Sequence, residues 1–445
     1  MGSGPASKIS RLQIRTATLG AMGVFLDGYD LSVIGFGVIL ASESLSFSPK
    51  LHPFLYSLVL TSALIGMAVG GLLFGYLADR LGRKSMFTVD LLLFVVFALL
   101  SAASQNVYQL IVFRLLMGIG IGADYPISSS LIAESAPEAS RGRLLMYGIM
   151  FYWVGTFFAG ITNYLTLGLG DVYAWRAALA AGGIIAIPVV LLRNMAPESP
   201  RWLILKGLKA EAKRVLDSGI QGVSVSGRYA ELSLRSFLRL HWKSLLFVSL
   251  AWFGFDVGAY GLGFYTSTLY HEYGVSSLSK IALFGVVTAP FPILAYLVLI
   301  GKLDKWGRRL PSLIGFTIMI AVLAILPLAL PVNALFLLPL FILFSSMEQW
   351  PGGILSFAYS VELFPTAFRA RAQGFLTAVS RAGAVTGTLL FLPIASHGLL
   401  YGTLFFEAFI VLAFASTFAM APETRSQTLD QSSGEQLGET VPSTG

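Results

Sequence analysis

The chain has 445 residues; 12% are Asp, Glu, Lys or Arg, against roughly 25% in a soluble domain, and 56% are hydrophobic. With a mean hydropathy of +0.76, most of the chain has lipid as its solvent, which excludes a soluble enzyme, a secreted disulfide scaffold and a nucleic-acid-binding domain. The net charge of +7 sits in short connections between apolar runs, there is no cysteine for a disulfide or thiolate metal site, and the four histidines (His52, His241, His271, His397) share no metal-binding spacing.

A helix that crosses the roughly 30 Å hydrocarbon core needs about 20 apolar residues. On that rule the sequence predicts twelve spans, near 15–41, 53–78, 85–104, 108–134, 142–167, 175–192, 244–269, 279–301, 310–331, 334–361, 373–395 and 400–420. The runs lack the alternation of a membrane barrel, so they read as helices. The first fourteen residues are polar and basic and carry no signal-peptide pattern. Six spans precede a polar middle and six follow it. The expected division is an N-terminal half over 1–192, a linker over 193–243, a C-terminal half over 244–422 and a tail over 423–445. The linker carries ten Lys/Arg against four Asp/Glu, and its stretch Pro200 to Leu216 is suited to short surface helices. The tail, rich in Ser, Gln, Gly, Glu and Thr, is expected to be disordered.

Connections after spans 2, 4, 8 and 10 hold Arg80, Arg83, Lys84, Arg141, Arg143, Lys305, Arg308, Arg309, Arg369 and Arg371, whereas the alternate connections hold Lys50, Lys280 and little else. The positive-inside rule therefore places both termini and the linker in the cytoplasm. An internal repeat runs through the same loops. Asp79-Arg80-Leu81-Gly82-Arg83 returns as Asp304-Lys305-Trp306-Gly307-Arg308, and Pro197-Glu198-Ser199 as Pro422-Glu423-Thr424, each 225 positions later. Glu134 with Arg141 and Arg143 is echoed by Glu362 with Arg369 and Arg371. Matched landmarks at nearly one offset imply two homologous six-helix halves, and parallel halves of this kind bind cargo at the midplane between them.

"GYLADRLGRK" at 75–84, "PESPRWL" at 197–203 and "PETR" at 422–425 together resemble the major facilitator superfamily. The last two are similar to the paired motifs of its sugar-porter and phosphate-symporter branches. The resemblance implies twelve transmembrane helices in two pseudo-symmetric six-helix bundles. In that family the loop carboxylate and arginines form ion pairs that hold one face closed, so Asp79, Arg83, Asp304 and Arg308 inherit a gating role. "GIGIGADYPISSSLIAE" in span 4 and "WFGFDVGAYG" in span 7 resemble the phosphate:proton symporters. Carried over, Asp124, Tyr125, Trp252, Asp256 and Tyr260 fall on that group's binding and proton-coupling positions, and Arg381 stands where those symporters carry a lysine. Tyr152 replaces their substrate-binding glutamine and Gly353 their asparagine. "LDGYDLSVIGF" in span 1 resembles instead the aromatic-acid:proton symporters, and an arginine in span 11 the organic-anion branch.

The residues make a case of their own. A charge at the bilayer centre costs about 2.5–3.5 kcal/mol even on the lenient insertion scale, so one kept there faces a cavity or a partner. Such positions are Asp27, Asp30, Asp90, Arg114, Asp124, Asp256, Glu348 and Arg381. Asp27 and Asp30 lie one turn apart on span 1. Trp252, Asp256 and Tyr260 recur every four residues, so span 7 presents them on one face. A carboxylate in low dielectric can take up a proton on one side and release it on the other, which makes Asp30, Asp124 and Asp256 proton-coupling candidates. Arg381 offers a planar fork to a carboxylate or phosphate; its structural alternative is an ion pair with Glu348 or an aspartate. Arg114 is expected to tie span 4 to its neighbours. Gly118, Gly120 and Gly122 precede Asp124 and Pro126; with no strand before them they are read as helix-packing residues rather than a nucleotide loop. The run Ser345 to Gly353 interrupts span 10 with polar and flexible residues beside the cavity or gate.

Together these features predict a secondary active transporter rather than an enzyme. The expected activity is proton-coupled symport of a small anion, inorganic phosphate or an organic carboxylate, by alternating access in the plasma membrane. The expected contacts of the cargo are Tyr125, Tyr152, Trp252, Asp256, Tyr260 and Arg381. A neutral sugar or polyol porter is the alternative, and a non-transporting nutrient sensor a remote one. The expected partners are a solute, protons and the lipid bilayer, with no nucleic acid, cofactor or metal, and the expected working unit is a monomer.

Overall fold

The computed structural model of the chain describes residues 9–220, 223, 232–272, 277–329 and 337–434. The first six helices are α1 (Arg11–Ser44), α2 (Pro53–Leu81), α3 (Arg83–Ala102), α4 (Val107–Ser135), α5 (Arg141–Thr166) and α6 (Asp171–Arg193). Local chemistry sets their starts. Ser10 and Gln13 form a capping box before α1, Asn106 accepts from the Gln109 amide at the head of α4, and Pro53 opens α2. Two short surface helices follow, α7 (Pro200–Leu205) and α8 (Lys209–Asp217).

The second set is α9 (Leu234–Glu272), α10 (Leu278–Thr288) running into α11 (Pro290–Trp306), α12 (Arg309–Ala329), a broken helix, α16 (Arg369–Ala395) and α17 (Leu399–Met420). The broken helix comprises α13 (Leu337–Met347), α14 (Gln349–Gly353), a π-helical turn over Ile354–Tyr359 and α15 (Ser360–Glu362). Eleven helices among the described residues are long and apolar enough to cross a membrane. The predicted tenth span, 334–361, falls on the broken helix, and its first residues, 334–336, lie outside the described residues.

Three boundaries differ from the sequence expectation. α9 begins at Leu234, inside the expected linker, because its first turns pack on the second half: the Phe237 ring stacks on Phe368 at 4.6 Å. Arg193, counted with the linker, is a fully buried residue at the end of α6. The tail expected to be disordered from 423 onward is instead packed as far as Gly434. There α18 (Leu429–Ser432), opened by a Thr428–Gln431 capping box, buries Leu429, and Asp430 pairs with Arg201. Composition alone missed these anchors, which come from residues distant in sequence.

The outer surface is made for lipid. On α3, Val89, Leu92, Val96 and Leu99 recur at helical spacing and are all exposed, while Phe87, Asp90, Leu91 and Phe94 are buried on the opposite side. Inside, α2 and α4 approach until backbone touches backbone. A β-carbon on Gly118 would overlap the Ala63 carbonyl, and one on Gly122 the Met67 carbonyl. Gly120 faces α3, where the Asp90 carbonyl would lie 2.5 Å from an added β-carbon. The alternating glycines therefore let α4 touch two neighbours at once. Overpacking such a site costs typically 1–3 kcal/mol. Gly118→Val is expected to undo the docking of α4 on α2 and to lose most of the monodisperse peak in detergent gel filtration. Gly168→Val should retain that peak, since a β-carbon there meets nothing within 4 Å; equal recovery of the two variants would show that the contact is not needed for folding.

Candidate functional site

One face of the bundle carries both described ends of the chain and a double network of ion pairs. In the first half Arg83 Nη2 lies 3.2 Å from both Asp79 and Glu134, and the Ser199 hydroxyl donates to Glu134. In the second half Arg308 Nη2 lies 3.5 Å from Asp304 and 2.9 Å from Glu362, and the Thr424 hydroxyl donates to Glu362 at 2.5 Å. Glu198 accepts from the Arg83 and Lys84 amides at the head of α3, as Glu423 does from the Arg308 and Arg309 amides at the head of α12. Burial pushes the Glu198 carboxyl above its ordinary range, against the pull of these amides and Arg83. The four residues expected to gate thus hold equivalent places in the two halves.

The same carboxylates reach across the divide. Asp79 accepts from the Arg371 amide at 3.0 Å, near the start of α16, and Asp304 from the Arg143 amide at 3.3 Å, near the start of α5. Arg369 pairs with Glu134 at 2.8 Å and Arg141 with Glu362 at 3.0 Å. On the opposite face, the described polar contact between halves is between hydroxyls: Ser57 and Tyr265 are 2.8 Å apart. Every ion pair found between halves among the described residues lies on the basic face.

Between the halves lies a cavity of about 250 Å³. On α9 its wall runs from Trp252 to Tyr270, the part of that helix away from the ion-pair face. All six residues expected to touch cargo, Tyr125, Tyr152, Trp252, Asp256, Tyr260 and Arg381, line it. The glycine-flanked α16 carries Arg381 close to α9, since a β-carbon on Gly383 or Gly387 would overlap the Phe253 or Val257 carbonyl. Arg381 Nη1 donates to Asp256 Oδ2 at 2.9 Å, and its guanidinium lies 4.9 Å from the Tyr125 ring centre and 4.8 Å from that of Tyr260. Its ion-pair partner is therefore Asp256 and not Glu348. Arg381 Nε and Asp256 Oδ1 make no hydrogen bond. Twelve aromatic side chains line the cavity, against two side-chain amides, Asn163 and Gln349.

The other intramembrane charges are distributed differently. Asp30 receives a two-point bond from Arg114 at 3.0 and 3.3 Å, so Arg114 ties α4 to α1. Asp124 and Asp90 share Arg193, at 2.5 and 3.1 Å, and Ser128 donates to Asp124 at 2.9 Å. Asp30 and Asp124 are absent from the cavity wall; of the three proton-coupling candidates it holds Asp256 alone. Asp27 is fully buried, makes no ion pair among the described residues, and has Arg381 and the Tyr125 hydroxyl in its surroundings. Glu348, in the turn between α13 and α14, lines the cavity with Ser345, Gln349 and Gly352. Sequence reasoning had no signal for Arg193: its partners lie 69 and 103 positions away, and it sits at the edge of a basic linker.

The family model for sugar (and other) transporters matches residues 16–434. The chain belongs to that family. Relatives that match over nearly the full length of both chains include YaaU of Escherichia coli, 31% identical over 97% of this chain and 98% of that one. The arabinose-proton symporter of Bacillus subtilis is 29% identical over 92% of each. Low affinity inorganic phosphate transporter 4 of Medicago truncatula is 26% identical over 95% of this chain and 92% of its own. The structure also superposes on the proton:xylose symporter XylE bound to 6-bromo-6-deoxy-D-glucose, with a TM-score of 0.82 at 22% identity, covering 95% and 98% of the two chains. That likeness shows the major facilitator fold. The family is one of integral membrane transporters, not enzymes.

Because the transporter has no cysteine, an introduced one reports access without background. Ser356→Cys places a thiol on the cavity wall. Adding Asp79→Asn and Glu362→Gln removes charge from carboxylates that bridge the halves and should raise maleimide labelling from the ion-pair face several-fold. Unchanged labelling would show that apolar packing alone keeps this face shut.

Proposed function

We propose that the protein is a proton-coupled symporter that imports a small organic carboxylate with an aromatic or otherwise apolar body. The observation that carries this reading is the Arg381–Asp256 pair, held between the Tyr125 and Tyr260 rings in the wall of the inter-half cavity. Arginine presents a planar fork that matches a carboxylate, and the aromatic lining suits a flat apolar body. Inorganic phosphate, the other anion suggested by the sequence, would leave most of that lining unused. A neutral sugar is favoured by the names of the arabinose and xylose symporters among the similar proteins, but it brings no charge to exchange with Asp256 at Arg381.

In this reading Asp256 couples cargo to protons. While ionised it holds Arg381; once protonated it releases the guanidinium to the cargo carboxylate. Each binding event favours the other, which is the thermodynamic content of symport. Asp30 and Asp124, already bound to Arg114 and Arg193, take a secondary part in coupling as helix-to-helix ties. Asp27, buried near Arg381 without an ion pair of its own, is a further acceptor for the proton. Asp79, Arg83, Asp304 and Arg308 form the gate of a face that lies in the cytoplasm together with both termini and the linker, and the chain works as a monomer in the plasma membrane.

Uptake of labelled benzoate, phosphate and arabinose into proteoliposomes, with and without an inward proton gradient, tests the reading; benzoate should accumulate and the other two should not. Asp256→Asn is expected to abolish gradient-driven accumulation, because the amide carries no proton. Arg381→Lys should weaken affinity about tenfold, or about 1.4 kcal/mol, and Arg381→Gln should bring uptake to background. Gradient-driven accumulation undiminished in Asp256→Asn would place coupling elsewhere, and equal uptake by the two Arg381 variants would favour a neutral cargo.

A further inference from the structure

The cavity has a second charged pole. Glu348 lies in its wall, in the single residue that separates α13 from α14. Its side-chain hydrogen bond comes from Gln349 Nε2, 3.0 Å from Oε1, and that amide also donates to the Ser345 carbonyl at 2.5 Å. No Lys, Arg or His among the described residues pairs with Glu348. Among the described residues Arg381 is the one cation in the wall, and Asp256 holds it. With all three groups ionised, the wall carries two negative charges and one positive.

Phenol rings surround this pole. Tyr152 and Tyr296 lie close enough to Glu348 to feel its charge, and Tyr260 lies close to both of them. Tyr152 also feels Arg381 and shares the cavity wall with both poles. A carboxylate that opens on a cavity beside aromatic faces recognises a cation: the carboxylate supplies charge and the rings supply the face attraction. While Glu348 is ionised, a plain anion would instead meet it as a like charge across a site of low dielectric.

We propose that the cargo is a zwitterion, with an ammonium or protonated ring nitrogen directed to Glu348 and a carboxylate directed to Arg381, its body crossing Tyr152. The inference rests on the carboxylate reading of Arg381 and assigns Glu348 as the residue that selects for the positive end. It also accounts for the balance of the wall: a zwitterion brings no net charge, and its positive end compensates the carboxylate that no protein cation meets.

Three matched aromatic probes test this on the purified full-length protein in detergent, by calorimetry: 4-(aminomethyl)benzoate, 4-methylbenzoate without the ammonium, and 4-methylbenzylamine without the carboxylate. The zwitterion should bind at least about tenfold more tightly than either, and Glu348→Gln should bring its advantage over 4-methylbenzoate to within about twofold. Glu348→Asp, which retains the charge, should preserve most of the preference and serves as the folded control. Equal binding of 4-(aminomethyl)benzoate and 4-methylbenzoate to the wild type would overturn the role of Glu348 and leave the carboxylate reading standing. A preference that survives in Glu348→Gln would also overturn it. Equal binding of 4-methylbenzylamine and the zwitterion would remove the carboxylate contact at Arg381, and with it both proposals, as would the absence of binding by all three.

Discussion

A charge inside an apolar helix bundle has no water to solvate it, and this constraint organises the whole molecule. Desolvation costs several kcal/mol per ion and is repaid by a partner in good geometry. The buried arginines accordingly face carboxylates: Arg83 and Arg369 share Glu134, Arg308 and Arg141 share Glu362, Arg193 bridges Asp90 and Asp124, Arg114 holds Asp30, and Arg381 holds Asp256. Each pair joins separate helices or connections, so satisfying charge also fixes which helices stand side by side. Glycines then set how close they stand, as at Gly118 against Ala63.

The pairs differ in what they join. Those of Arg114 and Arg193 lie within the first half and that of Arg381 within the second, and they give each half its own rigidity. Those of Glu134 with Arg369 and Glu362 with Arg141 cross between halves, and they do so on one face. The opposite face is bridged by the Ser57 and Tyr265 hydroxyls, a neutral contact worth about 1 kcal/mol. Two halves built alike are thus locked at one end and lightly held at the other, with the cavity extending toward the lightly held end. Alternating access requires that such an asymmetry be reversible. Exchanging a few charged contacts for solvated ones is a smaller change than unpacking an apolar interface.

The sequence made the helices legible because lipid imposes a long apolar run on each, and the repeated loop motifs gave the two halves. It also supplied six of the residues that line the cavity, through the family resemblance and the four-residue spacing of Trp252, Asp256 and Tyr260. Pairing was not legible. Asp256 and Arg381 lie 125 positions apart and Arg193 and Asp124 lie 69 apart, and helix spacing carries no information over such separations. Asp124 therefore read as a cavity group from its motif, while in the fold an arginine from the edge of the linker meets it outside the cavity. The packed tail was hidden for the same reason. Its polar composition resembles a free chain until Arg201 and Glu362 are seen to hold Asp430 and Thr424.

What remains distinctive is the economy of cations at the centre. Asp256 and Glu348 stand in the cavity wall, where Arg381 is the one guanidinium among the described residues, and Asp27 lies buried within its electrostatic reach. Asp256 holds it at 2.9 Å, Asp27 lies near it without an ion pair, and Glu348 pairs with no cation among the described residues. With more carboxylates than cations, the site cannot have every group ionised and matched at the same time. Protonation is the means of closing that gap: a proton neutralises a carboxylate and leaves Arg381 free for another partner. A site with equal numbers of fixed charges would be satisfied when empty and would gain less from a proton. The shortage of positive charge, set by residue choice on four helical segments, is therefore itself a physical basis for making solute binding depend on protons.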